Sequence, residues 1–301
     1  IGHPIKLIYT REDDMTQGVY RPAYKVKYKA GLDENNNLIG LTLKGVGIHG
    51  SPVFENRFPA GAVANYSAEN ANVDSNISTG AWRAPRSNFI AGAEQSFLDE
   101  VAEAAGKDPI DFRLELFDRA MKNPIGTDND YDPKRYAGVL KLVRDKSNWK
   151  VQKDGIYRGV SAYYCHNTYV AQVLDMEKVN GKQKIKKVWC AIDCGIVINP
   201  EGAINQAEGG IIDGIGHAMY SNLTFDKGSP IQKNFDTYSM IRHHQSPSEI
   251  EVFFVDNGID PTGLGEPTLP PISGALANAI YKASGKRLYK QPFIQQDIKL
   301  G

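Results

Sequence analysis

Cysteine, net charge and long apolar runs are all in short supply in this sequence. Only Cys165, Cys190 and Cys194 occur in 301 residues, too few for a four-sulfur metal site and odd in number for a disulfide framework. They read as ordinary buried thiols. Thirty-five basic residues are cancelled by 35 acidic ones, so no strong field draws the chain to nucleic acid or anionic lipid. No apolar run approaches the roughly 20 residues that span a bilayer, and the opening lacks the basic-then-apolar pattern of a signal peptide. Ile1-Gly2-His3-Pro4 reads as a cut through a longer chain, which leaves the compartment, cytoplasmic or periplasmic, open. A phosphate-cradling loop, a Gly-x-Ser-x-Gly elbow and a dinucleotide fingerprint are also missing, which removes support from nucleotide-dependent and serine-hydrolase activities. His3, His49, His166, His217, His243 and His244 show no metal-ligand spacing and read as structural or surface residues.

What is present is the composition of a globular chain, 41% hydrophobic and 23% charged, long enough to bury a substantial core. Lys25 to Ala30 alternates polar and apolar residues, Asp33 to Asn37 supplies a turn, and Leu38 to Ile48 returns extended. Val53 to Ser78 is turn-rich and predicts irregular structure with short strands. A helix is predicted from about Ala91 to Gly106 on the spacing of Phe97, Leu98, Val101 and Ala105. A second is capped by Asp108, with Pro109 at its first position and Ile110, Leu114, Phe117 and Met121 as its core stripe. Tyr136, Val139, Leu140 and Val143 mark a third. Gly155 to Met176 then reads as one extended stretch, Asn180-Gly181 as a hairpin turn, and Ile185 to Ile192 as the return strand. Asn199-Pro200 opens a helix to about Tyr220, followed by a strand over Ile250 to Val255 and a helix from Pro271 to Ala283, ended by Gly285. Strands interleaved with separated helices argue for an α+β fold with mixed sheets rather than a doubly wound one. The expected division is 1–150, β-rich and then helical, and 151–301, carrying the chemically suggestive segments.

Three segments stand out. In Thr262-Gly263-Leu264-Gly265-Glu266-Pro267 two glycines allow close backbone approach, and Pro267 stiffens the turn behind Glu266. That is either a solvated loop carboxylate or a fixed general base. The helix carrying Gln206 holds Gly209, Gly210, Gly214 and Gly216; such residues cost about 1 kcal/mol each against Ala. They fit either tight helix packing or a bulky group lying on the bare face, with the Gln206 amide offering a donor and an acceptor. The third segment, Thr79 to Asn88, places Gly80, Ala81, Trp82 and Arg83 in a loop that either lines a pocket or simply packs Trp82 on the core.

In this order, Tyr9-Thr10-Arg11-Glu12-Asp13-Asp14-Met15, Gly80-Ala81-Trp82-Arg83-Ala84-Pro85, Ser96-Phe97-Leu98-Asp99-Glu100 with Gly106-Lys107-Asp108-Pro109, Asp193-Cys194-Gly195 with Asn199-Pro200, and Gly263-Leu264-Gly265-Glu266-Pro267 resemble the molybdenum hydroxylase family. That family contains xanthine dehydrogenase, aldehyde oxidase and isoquinoline 1-oxidoreductase, and the chain is most similar to the large (beta) subunit type of the last. The resemblance implies that Glu266 is the catalytic base, that Gln206 contacts the molybdopterin cofactor, and that Gly80, Ala81, Trp82, Arg83 and Gly265 border it. It implies hydroxylation of an N-heteroaromatic or aldehyde carbon with oxygen from water, and electron transfer to a small subunit with two-iron, two-sulfur clusters. It assigns no side-chain metal ligand. Arg86 stands where the family carries a small residue and is expected to narrow or recharge the pocket. The family's glycine-rich pterin segment and its Gly-Gln-Gly segment are not found, so this chain is expected to fold with half of the cofactor site and to be empty and inactive alone. Two other readings compete. One is a non-catalytic relative that kept the fold, favoured if Arg86 obstructs the site; the other is a carboxylate-pair hydrolase using Glu266 and an acid such as Asp193.

Overall fold

The computed structural model describes residues 2–301. A short helix α1 (Arg11–Gln17) precedes the strands β1 (Tyr24–Leu32), β2 (Leu38–Ile48) and β3 (Asn65–Val73). Three helices follow, α2 (Ser87–Ala104), α3 (Pro109–Lys122) and α4 (Pro133–Lys146). Then come β4 (Ile156–Cys165), β5 (Thr168–Val179) and β6 (Lys182–Asp193), the long helix α5 (Pro200–Tyr220), the two-residue strands β7 (Phe225–Asp226) and β8 (Ser229–Pro230), β9 (Glu249–Phe254) and α6 (Leu269–Ser284). Both larger sheets are mixed. β1 and β2 are antiparallel with β3 added parallel, and the second sheet runs β4-β5-β6-β9 with only the β6–β9 pair parallel. The α+β architecture expected from the element order is the one observed.

Local chemistry sets most boundaries. The Asp108 carboxylate accepts from the backbone N–H groups of Ile110 and Asp111, and Asp132 does the same for Lys134 and Arg135 at α4. Asn199 caps α5 through Gly202 N–H, and Gly285 closes α6 at φ +71°. The Asn180-Gly181 turn has φ of +50° and +77°, which suits the twist of the β5–β6 hairpin.

Several expectations are corrected. Gly155 to Met176 is not one extended stretch: it breaks at His166-Asn167, a two-residue turn with both φ values positive (+53° and +58°) between the paired Cys165 and Thr168. His and Asn tolerate that region well enough to make a turn without glycine. The 53–78 segment contains a nine-residue strand, β3, mostly exposed. The α3 core stripe runs through Ile110, Phe112, Arg113, Leu116, Phe117 and Ala120; Leu114 is only half-buried and Met121 is exposed. The discrepancy arises because Arg113, fully buried, satisfies its guanidinium on Gln95 and the Pro109 carbonyl and so occupies a core position.

The main hydrophobic cluster joins Leu41, Phe58, Leu98, Phe112 and Tyr136 to Val160, Tyr169 and Trp189, so packing crosses residue 150. A second cluster places β5 and β6 against α5 and α6 through Leu174, Val188, Ile211, Ile215, Ile272 and Leu276. Its role is positional, since α5 and the loop before α6 carry the candidate site.

Candidate functional site

The Thr262 to Pro267 loop links β9 to α6, and its backbone is tied down on two sides. Thr262 N–H donates to the Cys194 carbonyl (2.9 Å) and Gly263 N–H to the His166 carbonyl (3.1 Å). The Thr168 hydroxyl donates to the Gly263 carbonyl at 2.5 Å and lies 2.7 Å from the Thr262 hydroxyl. Behind it, buried Asp193 is gripped by Arg135 (2.6 Å) and by Asn257 (2.7 Å). Asp193 is thereby consumed in an internal ion pair and is no second acid for Glu266, which removes the hydrolase reading.

Gly265 is the meeting point of the segments. Its carbonyl accepts from Arg83 Nε (3.0 Å), Arg83 Nη2 (2.6 Å) and Gln206 Nε2 (2.7 Å). Arg83 also reaches Asp213 at 3.2 Å. Glu266 is next in the chain, its side chain 33% exposed, with Oε2 2.5 Å from His166 Nε2. Its own carbonyl accepts from Leu269 N–H at the start of α6, and Pro267 behind it is buried. Glu266 is therefore a carboxylate on fixed backbone, partly withdrawn from water.

The glycines of α5 divide by neighbour. A Cβ on Gly214 would collide with the Ile272 side chain and come within 2.7 Å of the Leu269 carbonyl, and one on Gly216 would meet Ile241 at 2.8 Å. One on Gly210 would strike the Thr268 hydroxyl and lie 3.2 Å from Arg83 Nη2, so the bare position lets Arg83 cross the helix to Gly265. Only Gly209 of the four has nothing within 4 Å. Three glycines thus serve protein packing, and one leaves open surface beside exposed Gln206. The first two turns of α5 also border an open concavity of about 490 Å³ lined by Asn199, Glu201, Gly202, Ile204, Asn205 and Glu208.

The loop before α2 is held in an unusual path. Ala84 (+54°) and Arg86 (+65°, with ψ −50°) both have positive φ, which costs about 1 kcal/mol or more for a side chain with Cβ. Asn88 offsets this by donating to the Trp82 and Arg83 carbonyls (3.3 and 2.9 Å) while accepting from half-buried Arg21 (2.9 Å). The Trp82 ring lies 4.5 Å from that of His217. Burial and the nearby Arg21 guanidinium hold the His217 imidazole well below its ordinary pKa, so it is neutral at pH 7. Gly80 does not join the cluster: its N–H donates to the Tyr20 carbonyl, and a Cβ there would meet Val19 at 2.8 Å. Ala81 is exposed in the same loop. Arg86, expected to alter the pocket, turns to the Val53 carbonyl and stacks 4.0 Å from the Phe54 ring centroid, so its guanidinium is engaged by the segment before β3.

The residue that sequence reasoning missed is His166, grouped there with structural histidines. Nothing in its spacing to Glu266, one hundred positions away, signals the contact; only a turn at 166–167 opposite the glycine loop would have revealed it. Burial pushes the Cys165 and Cys190 thiols up to about 11 and about 12, so neither is a nucleophile at neutral pH. Among the described residues no cluster of three or more His, Cys, Asp or Glu side chains could hold a metal ion.

Comparison with known proteins bears on that point directly. Residues 1–117 and 98–247 match two families, each described as a molybdopterin cofactor-binding domain. The chain belongs to the molybdopterin-binding family of the xanthine dehydrogenase and aldehyde oxidase type. The chain is 27% identical, over its whole length and 43% of the relative's, to a membrane-bound aldehyde dehydrogenase [pyrroloquinoline-quinone] of Gluconacetobacter polyoxogenes. It is 26% identical to the beta chain of isoquinoline 1-oxidoreductase of Brevundimonas diminuta, over 97% of this chain and 38% of the relative. The chain therefore spans about two fifths of these relatives. Its fold matches quinoline 2-oxidoreductase from Pseudomonas putida 86 with a TM-score of 0.80 at 10% identity, covering 95% of this chain and 63% of that one. The isoquinoline 1-oxidoreductase relative is named as one chain among several, so it is part of a multi-chain enzyme. Among the described residues no helix is long and apolar enough to cross a membrane.

Proposed function

We propose that this chain is the part of a molybdenum-cofactor-binding large subunit that carries the catalytic base, Glu266, with residues 1–150 and 151–301 as successive parts of one cofactor-binding region. The complete protein hydroxylates an N-heteroaromatic or aldehyde carbon with oxygen derived from water and passes the electrons to a small subunit with two-iron, two-sulfur clusters. The observation that carries this reading is the convergence on one backbone carbonyl, Gly265, of Arg83 from one segment and Gln206 from another, immediately before a carboxylate on a tethered loop.

The residues present suit a molybdopterin group. A Cβ on Gly265 would have only Gln206 Nε2 near it, at 3.9 Å, and Gly209 has open space, so bare backbone flanks the Gln206 amide on two elements. That amide spends one N–H on Gly265 and keeps a second donor and an acceptor for a polar, flat ligand. Gln206, Gly209, Gly265, Trp82 and Arg83 would border the group, which supplies the two-electron redox chemistry when bound. The chain's own contributions are different. Glu266 receives the proton lost by the oxygen that is transferred, and Arg83 and Gln206 fix the loop from which it works. The Trp82 indole is seated on neutral His217 and precedes Arg83 in the same loop.

The test is the full-length complex with Glu266→Gln, assayed against N-heterocycles and aldehydes. The turnover number should fall about 10³-fold, the scale of a lost general base, with molybdenum content unchanged. Full activity in the variant, or a wild-type complex without molybdenum, would sink the reading.

A further inference from the structure

We propose that His166 is a positioning residue for Glu266: its Nε2–H holds Oε2 of the carboxylate and leaves Oε1 as the oxygen that accepts the proton. The inference rests on Glu266 being the base. It starts from the 2.5 Å separation of His166 Nε2 and Glu266 Oε2. At that distance one of the two atoms carries a hydrogen; with Glu266 acting as the ionised base, its carboxylate is the acceptor and the Nε2–H of His166 the donor.

A contact between two partly exposed side chains, 51% and 33%, ordinarily contributes little, because both ends must be ordered to form it. Here both backbones are ordered beforehand. His166 occupies the first position of the β4–β5 turn at φ +53°, and Asn167 follows at +58°. The turn is pinned on one side by Arg135 Nη1, which donates to the Asn167 carbonyl, and by the Tyr164 hydroxyl, which donates to Asn167 Oδ1 at 2.8 Å. On the other side the Gly263 N–H donates to the His166 carbonyl and Thr168 bonds the Gly263 carbonyl. Gly263 is itself part of the device, since a Cβ there would come within 2.7 Å of His166 Cβ. The turn and the base-bearing loop therefore form one tethered unit in which the imidazole and the carboxylate meet with little left to order. What the contact supplies is orientation rather than stability, and orientation is what a proton acceptor needs.

The experiment uses the full-length complex and two variants. His166→Asn tolerates the left-handed turn but is too short to reach Glu266, whereas His166→Gln keeps a donor at nearly the original reach. His166→Asn should lower kcat about tenfold, a modest misplacement of the base, with KM within about twofold and thermal stability unchanged; His166→Gln should recover most of the loss. A second reading needs no turnover. Carbethoxylation of His166, followed by peptide mass spectrometry, should run about fivefold faster in Glu266→Gln than in wild type, because a charge-assisted partner on Nε2 has been lost. Wild-type kcat in His166→Asn, or equal carbethoxylation rates in wild type and Glu266→Gln, overturns the proposal. An active Glu266→Gln complex would instead overturn the assignment of the base, and the carbethoxylation rates would still decide whether the two side chains hold each other.

Discussion

α5 and α6 lie against each other, yet they meet their surroundings in opposite ways. The first twelve residues of α6, Leu269 to Ile280, are all buried between β4, β5, α2 and α5. In the first half of α5, Glu201, Gly202, Ile204, Asn205, Gln206 and Gly209 are exposed, and burial becomes continuous only from Gly214. The difference separates two jobs. α6 is a fixed footing whose first residue anchors the Glu266 carbonyl, and α5 offers a bare surface braced on that footing. Two carboxylates repeat the contrast. Glu94 on α2 is sealed in the core, where burial pushes its pKa up to about 8, while Glu266 sits on a tethered loop with a third of its side chain in water.

Gly159→Ala attacks the footing and should have the largest effect on stability. Its methyl would collide with the Ala275 carbonyl and approach the Ala279 N–H at 2.5 Å, both main-chain atoms that cannot swing away. A loss of about 3 kcal/mol is expected, read from chemical denaturation; a loss below a third of that would mean that α6 yields and is no footing.

Glu94→Gln sharpens the carboxylate contrast. Because the folded-state pKa of Glu94 lies above its ordinary 4.5, the protonated form favours the fold. Its stabilising contribution is complete below about 4.5 and is lost as pH rises through about 8. Gln mimics the protonated form, so the variant should be more stable than wild type by about 2 kcal/mol above pH 8 and no different at pH 4. Thermal unfolding across that range checks it, and parallel curves for the two proteins would refute a sealed Glu94.

The fold was readable wherever local chemistry decides structure. Asp108, Asn199 and Gly285 mark helix ends by groups that bond within three or four residues, and Asn180-Gly181 marks a turn by its own backbone preference. It was unreadable where distant partners decide. The His166-Asn167 turn lacks glycine and is fixed by the loop one hundred residues on; the α3 stripe shifts because Gln95 satisfies Arg113; α1 is a seven-residue helix whose Thr10–Asp13 capping box went unrecognised. At the candidate site Glu266, Gln206 and Arg83 could be nominated by residue type and neighbouring glycines, but their common acceptor is a main-chain oxygen that no side-chain pattern reports. The partners of Arg86, Val53 and Phe54, were unreadable for the same reason, because they belong to a segment without a motif.

The smallest expected effect is also the most diagnostic of the bare face. Gly209→Ala adds a methyl to a helix position with nothing within 4 Å, so it should stabilise the protein by up to about 1 kcal/mol through helix propensity alone. Differential scanning calorimetry is sensitive enough to see it. A destabilisation would show that α5 is covered at Gly209, contrary to the contrast with α6.

Because Arg83 and Gln206 converge on the oxygen of Gly265 rather than on any side chain, the acceptor at this junction is invisible to side-chain scanning mutagenesis. Alanine at 265 would keep the oxygen in place and, within the chain itself, meet only Gln206 Nε2 at 3.9 Å, so in a stability scan the position would be recorded as silent. Only an amide-to-ester exchange that weakens that oxygen as an acceptor, or removal of both donors together, would expose how much of the site's geometry hangs from a single peptide group.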